Sequence, residues 1–269
     1  MKSKSCGLVI WYNPGIGEVK NLKTYYDELE KIFIVDNSDI NNSKLIENLE
    51  KIEYIPNYKN LGIATALNQG CKKAIENGYQ WILTMDQDSK FDNNFNSFLK
   101  EANRIVKKDN SIVIVGPKIQ ENQKSGYMER IITSGNLLNL KAYLSVNGFR
   151  DDFFIDEVDF DICYRLRKKG YKIYCLENII LKHKLGNPKS LSILGKTITS
   201  MNHGHIRKYY IIRNRLHMSK LYPECRLSYI KDCILDTIKI LLLEKDKIKK
   251  LIYSLKGYID YKRNKFGKL

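Results

Sequence analysis

The chain has 269 residues and a mass of 31.5 kDa, with 43% hydrophobic and 28% charged residues; a balance without repeats or low-complexity tracts excludes a solenoid or a disordered protein. Its formal net charge of +16 calls for an anionic partner, whether nucleic acid, a membrane surface or a phosphorylated substrate, without choosing among them. The six cysteines (Cys6, Cys71, Cys163, Cys175, Cys225 and Cys233) form no CxxC pair, so neither a zinc site nor a disulfide framework is expected.

Met1 to Ser5 is basic but runs directly into the apolar stretch Cys6 to Trp11, too short for a signal segment. No later stretch approaches membrane-spanning length, and Ile240 to Leu243 is bounded by Lys239 and Glu244. The expectation is a cytoplasmic chain, soluble or peripheral at a membrane.

Gly7 to Tyr12 reads as a buried strand broken by the turn residues Asn13-Pro14-Gly15. A helix around Leu22 to Glu30 and a strand Ile32 to Val35 ending in Asp36-Asn37-Ser38 come next, so a right-handed crossover should bring Asn13 and Asp36 to one sheet edge. A short strand is expected at Lys51 to Ile55. Asn60-Leu61-Gly62 opens a helix with apolar residues at helical spacing, among them Ile63, Leu67, Cys71 and Ala74, closed by Asn77-Gly78.

The apolar run Trp81 to Met85 then ends in Asp86-Gln87-Asp88. Ligands of open α/β sheets sit beyond the carboxyl ends of strands, and paired carboxylates there can hold a divalent cation together with substrate phosphates. The spacing alone is equally compatible with a solvated acidic turn. A helix from Asn93 to Val106 and a strand Ile112 to Val115 complete a nucleotide-binding pattern.

Beyond Gly116, Ile131 to Asn136 reads as a strand passing a site, with Gly135 leaving room for a ligand. Phe149 to Asp161 sets carboxylates among aromatics. Such crowding means either solvation or use, and aromatic burial raises a carboxylate toward the range of a general base. Asp159 opens a helix running to Lys169, where a helix N-cap and a base are equally good readings. Tyr171 to Leu176 is a further strand. His183 stands just past an apolar segment, as a surface residue or a ligand. His203-Gly204-His205 has ligand-like spacing but is read as a loop. Arg207 to Arg215 interleaves cations with tyrosines, which suits phosphate capture or an interfacial surface. The amphipathic stretch Tyr229 to Leu243 and the Lys-rich remainder can lie on an anionic membrane face or pack back on the domain.

In this order, Tyr12-Asn13-Pro14, Val35 to Ser38, Asn60-Leu61-Gly62 through Asn68-Gln69-Gly70, Leu83 to Ser89, Thr133 to Asn136, Phe154-Ile155-Asp156 with Val158-Asp159, and His183 to Gly186 resemble family 2 glycosyltransferases, and within them bacterial rhamnosyltransferases of O-antigen, capsule and cell-wall polysaccharide synthesis. The resemblance spans most of Met1 to Asn214.

It implies a GT-A fold, that is, an α/β domain over residues 1–220 with a mostly parallel, Rossmann-like sheet flanked by helices. The nucleotide-sugar half would cover about 1–117 and the acceptor half about 118–220, with residues 221–269 as a basic helical extension. It also implies an inverting transfer, most simply of L-rhamnose from dTDP-L-rhamnose to a lipid-linked or growing polysaccharide acceptor. Asp159 would be the catalytic base, with Asp156, Glu157 and Asp161 as acidic partners, and Asp156 or Glu157 as a rival because Val158-Asp159 stands where the family usually has Glu-Asp. Asn13, Asp36, Asn60, Gly62, Asn68, Asp86, Gln87, Asp88, Arg207 and Arg213 would bind the donor. Ser134, Gly135 and Asn136 would face the acceptor. Asp86 and Asp88, as the DxD motif, would hold Mg²⁺ or Mn²⁺ with His183. A UDP-hexose donor is the alternative within the fold. A nucleic-acid-binding protein is the alternative from another class, disfavoured because carboxylates at strand ends repel a phosphate backbone.

Overall fold

The computed structural model describes residues 5–92, 94–183, 188–193 and 196–269, with the side chains of 191–198 left aside. Lys184, Leu185 and Gly186 of the expected His183 to Gly186 landmark therefore lie outside the described residues, as does Asn93.

The chain divides into two compact units, one of Met1–Arg150 and Asp159–Lys184, the other of Asp151–Val158 and Leu185–Leu269. The first carries β1 (Ser5–Trp11), α1 (Ile16–Tyr26), β2 (Lys31–Asp36), β3 (Ile52–Pro56), α2 (Ile63–Glu76), β4 (Trp81–Asp86), β5 (Lys90–Phe91), α3 (Phe95–Lys108), β6 (Ile112–Lys118), β7 (Gly126–Met128), β8 (Asn136–Asn139), α4 (Leu140–Ser145), α5 (Val158–Lys168) and β9 (Lys172–Lys182). The second carries a hairpin of β10 (Lys189–Ile193) and β11 (Lys196–Ser200), then α6 (His205–Leu221), α7 (Arg226–Leu243) and α8 (Lys247–Lys262).

The sheet order of the first unit is β3-β2-β1-β4-β8-β6-β9-β5, with β7 on β9. β3, β2, β1 and β4 are parallel, β8 runs antiparallel between β4 and β6, and β6 pairs parallel with β9. The parallel strands are near-continuous apolar runs because both of their faces are covered. Val9, Trp11, Ile32, Ile34, Leu83 and Met85 pack on one face with Tyr25, Phe95 and Phe98. On β1 the intervening Leu8 meets α2 at Gly70, where a Cβ would fall 2.1 Å from Leu8 Cδ1. Each large side chain buried in this way contributes about 1.5–3 kcal/mol.

Register sets the active edge. Trp11 pairs with Asp36 and Ile10 with Asp86, so β1, β2 and β4 end at one level. With strands about 4.8 Å apart, Asp36 and Asp86 are separated by about 10 Å across β1.

One expectation changes. Residues 131–135 form a loop rather than a strand, because Gly135 N donates to Thr84 O (2.8 Å) and Ser134 Oγ accepts from Asp86 N (3.1 Å), tying the segment to the end of β4 before the β8 ladder begins. In the second unit α6 is buried from Lys208 to Asn214 on every side of the helix, packing with α7 and α8.

Candidate active site

The first unit brings together Asp86, Asp88 and His183 beyond the carboxyl end of β4, each offering one ligand atom, all within 4.8 Å of one another. His183 Nδ1 lies 3.7 Å from Asp88 Oδ1 and 4.0 Å from Asp86 Oδ2. β9 carries His183 to this place by pairing with β5, Lys90 opposite Lys182 and Phe91 opposite Leu181. Two carboxylate oxygens and one imidazole nitrogen, half-buried and unable to close a coordination shell, could hold a divalent cation with positions left for further ligands.

A hydrogen-bonded chain fixes the imidazole. Ser134 Oγ donates to Ser89 Oγ (2.8 Å), and Ser89 Oγ is 2.7 Å from His183 Nδ1. Both serines are buried. Ser89 was legible only as the last residue of the acidic landmark. Lys90 and Lys182, which line an open depression of about 430 Å³ with Asp88 and His183, carried no sequence signal beyond the overall charge.

Gln87 does not point at a ligand. Its amide clamps the first loop, Oε1 accepting from Tyr12 N (2.7 Å) and Nε2 donating to Tyr12 O (3.2 Å), while Asn21 Nδ2 donates to its backbone carbonyl (3.0 Å). The β1 and β4 loops are thereby held in register with each other. In that first loop Asn13 is exposed, adopts φ 48°, and donates its N–H to Ser38 Oγ at 2.7 Å.

Asp36 is buried, and three donors occupy its carboxylate: Ser38 N (2.8 Å), Asn42 Nδ2 (2.8 Å) and Tyr54 OH (2.6 Å). Burial first and this bond second push the Tyr54 hydroxyl pKa upward, so it stays a donor. Asn60 closes a turn by accepting from Gly62 N (2.9 Å), and Gly62 takes φ 87°, a left-handed conformation that favours glycine.

Three of the residues singled out in the sequence hold the fold together. Asn68 staples α2 to the segment before α5, its Nδ2 donating to Phe149 O (2.8 Å) and its Oδ1 accepting from Phe149 N (2.9 Å) and Tyr143 OH (2.7 Å), which occupies the amide oxygen and one N–H. Arg213 is wholly buried in the second unit. Its guanidinium donates to the carbonyls of Asp152 (3.2 Å), Phe153 (3.1 Å) and Gly267 (2.7 Å) and stacks on Tyr209 and Tyr210, leaving no face for a diphosphate. Asp161, with no exposed side-chain surface, is held by Arg150 Nε (3.2 Å) and Arg165 Nε (2.7 Å), so it anchors α5.

The other two acidic partners carry arginines as well. Asp156 is paired with Arg207 at 3.0 to 3.2 Å and Glu157 with Arg215 at 3.3 Å, all within the second unit. Phe154, Asp156 and Glu157 all adopt positive φ (63°, 64° and 65°), at a cost of about 1–3 kcal/mol each. Asn214 Nδ2 holds this backbone by donating to the carbonyls of Phe153 (2.9 Å), Ile155 (2.7 Å) and Asp156 (3.1 Å), and Phe154 stacks on Tyr210 at 5.0 Å.

Asp159 stands in the first turn of α5, its Oδ1 accepting from Phe160 N at 3.0 Å. It lines a cavity with room for no more than a water molecule, together with Thr84, Thr133, Asn136 and Cys163. Thr84, two residues before Asp86 in β4, and Thr133, next to Ser134, line the same cavity. Cys163 in the same cavity is pushed up to about 12 by burial, so it is a neutral thiol and no nucleophile. Gly135, at φ 83°, packs where a Cβ would fall 2.9 Å from both Leu181 and Pro117, and Asn136 is buried with its amide donating to Ile132 O. Of the expected acceptor-side residues, Ser134 therefore supports His183 while Gly135 and Asn136 shape the loop.

The family model described as Glycosyl transferase family 2 matches residues 16–167. The chain is 27% identical over 281 aligned residues to the dTDP-rhamnosyl transferase RfbF of Shigella flexneri, covering 92% of each. Among solved structures it resembles S. aureus TarS 1-349, with a TM-score of 0.52 and 13% identity over 97% of this chain and 73% of that one. The same protein in complex with UDP-GlcNAc gives a TM-score of 0.54 and 12% identity over 95% and 71%. These likenesses show the fold.

Proposed function

Because the chain belongs to glycosyl transferase family 2 and is a glycosyltransferase of the GT-A fold, we propose that it transfers L-rhamnose from dTDP-L-rhamnose to a hydroxyl group of a lipid-linked or growing polysaccharide acceptor, with inversion at the anomeric carbon. The observation that carries this reading is the convergence of Asp86, Asp88 and His183 at the end of β4. The rhamnosyl donor is supported by the relationship to RfbF, which runs through nearly the whole length of both proteins.

Asp86, Asp88 and His183 would hold Mg²⁺ or Mn²⁺, which when bound stabilises the negative charge that develops on the departing diphosphate. Lys90, beside the same site, adds positive charge for the phosphates, while Lys182 is paired with Asp92 at 2.8 Å. Asn13 and the Asp36-ordered loop frame the base, and Gln87 keeps the two loops together. Asp159 accepts the proton of the acceptor hydroxyl as its oxygen attacks the anomeric carbon. The anomeric carbon–oxygen bond to the diphosphate breaks in the same displacement, and dTDP leaves. The acceptor places the enzyme at the cytoplasmic face of the cell membrane as a peripheral protein; among the described residues no helix is long and apolar enough to cross one.

The test is a thermal-shift panel of dTDP-L-rhamnose and UDP-hexoses with and without Mn²⁺. A ligand at a hundred times its Kd stabilises the native state by about 2.7 kcal/mol. The expected result is an Mn²⁺-dependent shift with dTDP-L-rhamnose that Asp88→Ala abolishes. A shift with UDP-hexoses alone replaces the donor assignment, and no shift with any nucleotide sugar sinks the reading.

A further inference from the structure

In the second unit α8 presents polar residues inward and aliphatic residues outward, and α7, which buries Tyr229 and Ile240, exposes a second aliphatic stripe. On α8 the inward face is Lys250, Ser254, Gly257 and Asp260, all buried. Lys250 Nζ donates to Glu244 Oε2 (2.7 Å) and Asn202 Oδ1 (2.8 Å), and Asp260 accepts from Tyr209 OH (2.8 Å). Its outward face is Ile248 (77% exposed), Ile252 (57%), Leu255 (58%) and Ile259. At 100° per residue these four fall within an arc of about 60°. On α7 the inward Asp236 takes Lys208 Nζ at 2.9 and 3.0 Å, while Leu227 (82% exposed), Ile234, Ile238 and Leu241 project outward with Leu235 and Leu242 beside them. Helices that hide charge and show Leu and Ile are ordered for an apolar medium on their outer side.

Charge decides what that medium is. The outward stripe of α8 is bordered by Lys249, Lys256 and Arg263 on one flank and by Lys247 and Lys262 on the other, while Asp260, the one acid within α8, points inward. Residues 226–269 hold twelve Lys and Arg against five Asp and Glu. A second copy of the chain meeting this stripe across a two-fold axis would set lysines against lysines. An anionic lipid surface takes the aliphatic side chains into its acyl boundary and the flanking cations among its headgroups.

We propose that the outward faces of α7 and α8 are a docking surface for an anionic lipid bilayer. The surface is read from these helices alone; it rests on the proposed function only for the membrane location of the acceptor. The test is co-sedimentation of the full chain with vesicles of phosphatidylcholine alone and of an equimolar phosphatidylcholine–phosphatidylglycerol mixture, with dTDP binding measured on every variant. Wild-type protein is expected to bind the mixture at least about tenfold more tightly than phosphatidylcholine, with the preference weakening as salt rises. The double substitution Ile252→Glu and Leu255→Glu, at exposed positions, is expected to lower binding by at least about tenfold with dTDP affinity intact. Lys249→Glu with Lys256→Glu should remove the anionic preference. Equal affinity for both vesicle types, wild-type binding by the double variants, or a dimer in solution that Leu255→Glu dissociates without any vesicle binding overturns the proposal. Vesicle binding without dTDP binding would instead leave this surface standing and remove the donor reading.

Discussion

Asp159 and Asp161 sit two residues apart in the first turn of α5, and their asparagine variants should fail in opposite ways. Asp161 has no exposed side-chain surface and neutralises Arg150 and Arg165, whose side chains are 28% and 19% exposed. Removing one partner of a buried ion pair costs about 3–5 kcal/mol. The partial exposure of both arginines and the amide oxygen that Asn retains as an acceptor hold the loss for Asp161→Asn near the lower end, about 3 kcal/mol. Urea unfolding followed by tryptophan fluorescence is the assay, because Trp11 and Trp81 both belong to the unit that contains α5. Asp159→Asn should instead shift the urea midpoint by less than the equivalent of about 1 kcal/mol while turnover falls about 10²–10⁴-fold, the usual contribution of a positioned base. The reasoning fails if Asp161→Asn keeps its stability within about 1 kcal/mol while turnover collapses, or if Asp159→Asn unfolds the protein and spares turnover.

Gln87→Ala removes both bonds to the Tyr12 backbone; isothermal titration should find dTDP affinity reduced several-fold, and a change in stability beyond about 2 kcal/mol with unchanged affinity would contradict the positioning role. Gly257→Ala places a Cβ 2.4 Å from the Tyr209 carbonyl oxygen where α8 crosses α6. Overpacking of about 1–3 kcal/mol outweighs the gain of about 1 kcal/mol in helix propensity, so the urea midpoint of the second unit, read by far-UV circular dichroism, should fall. Acid should also loosen this unit. Burial, ahead of the nearby Arg207 and Lys208 charges, lowers the His203 pKa to about 4 from an unfolded value near 6.5. The unfolded state therefore binds the extra proton first, and stability drops as pH falls from about 6.5 toward 4. Burial opposes ionisation of Glu244, but hydrogen bonds from Lys208, Lys250 and Ser200 outweigh it and lower its pKa, so its contribution is lost at still lower pH. A chemical-denaturation series from about pH 7 down to about pH 3 checks both; a flat profile down to about pH 4 would contradict the His203 reading, and no further loss below about pH 4.5 the Glu244 one.

The parallel half of the sheet was legible because Gly7 to Tyr12, Ile32 to Val35 and Trp81 to Met85 are apolar runs that only a doubly covered sheet accommodates. Asp86 and Asp88 were legible because the carboxyl end of a buried strand delivers its next residues to the ligand edge of the sheet. Arg213 was not, since a cation among tyrosines looks the same in sequence whether it captures phosphate or stacks inside a helical unit. Gln87 was opaque for another reason: its partners are main-chain atoms 75 residues earlier, which no side-chain pattern reports. The acidic-aromatic stretch gave its composition away but not its pairing, because Arg207 and Arg215 arrive from some fifty residues downstream. The Ile131 to Asn136 stretch has strand composition, yet loop hydrogen bonds to β4 claim its backbone first.

The backbone of residues 152–156 takes its support from residues far later in the chain: Asn214 and Arg213 hold its carbonyls, and Gly267 N donates to Asp152 O at 2.8 Å while its own carbonyl accepts from Arg213. On a ribosome adding about 5–20 residues per second, residue 267 emerges after residue 152 by on the order of 10 s. The parallel strands and the Asp86 loop can be in place throughout that interval, whereas the Asp152 carbonyl and the Arg213 guanidinium lack their Gly267 partner until that residue has been added. Displacing Gly267 should therefore act on the backbone around Asp152 before it acts on anything in the sheet.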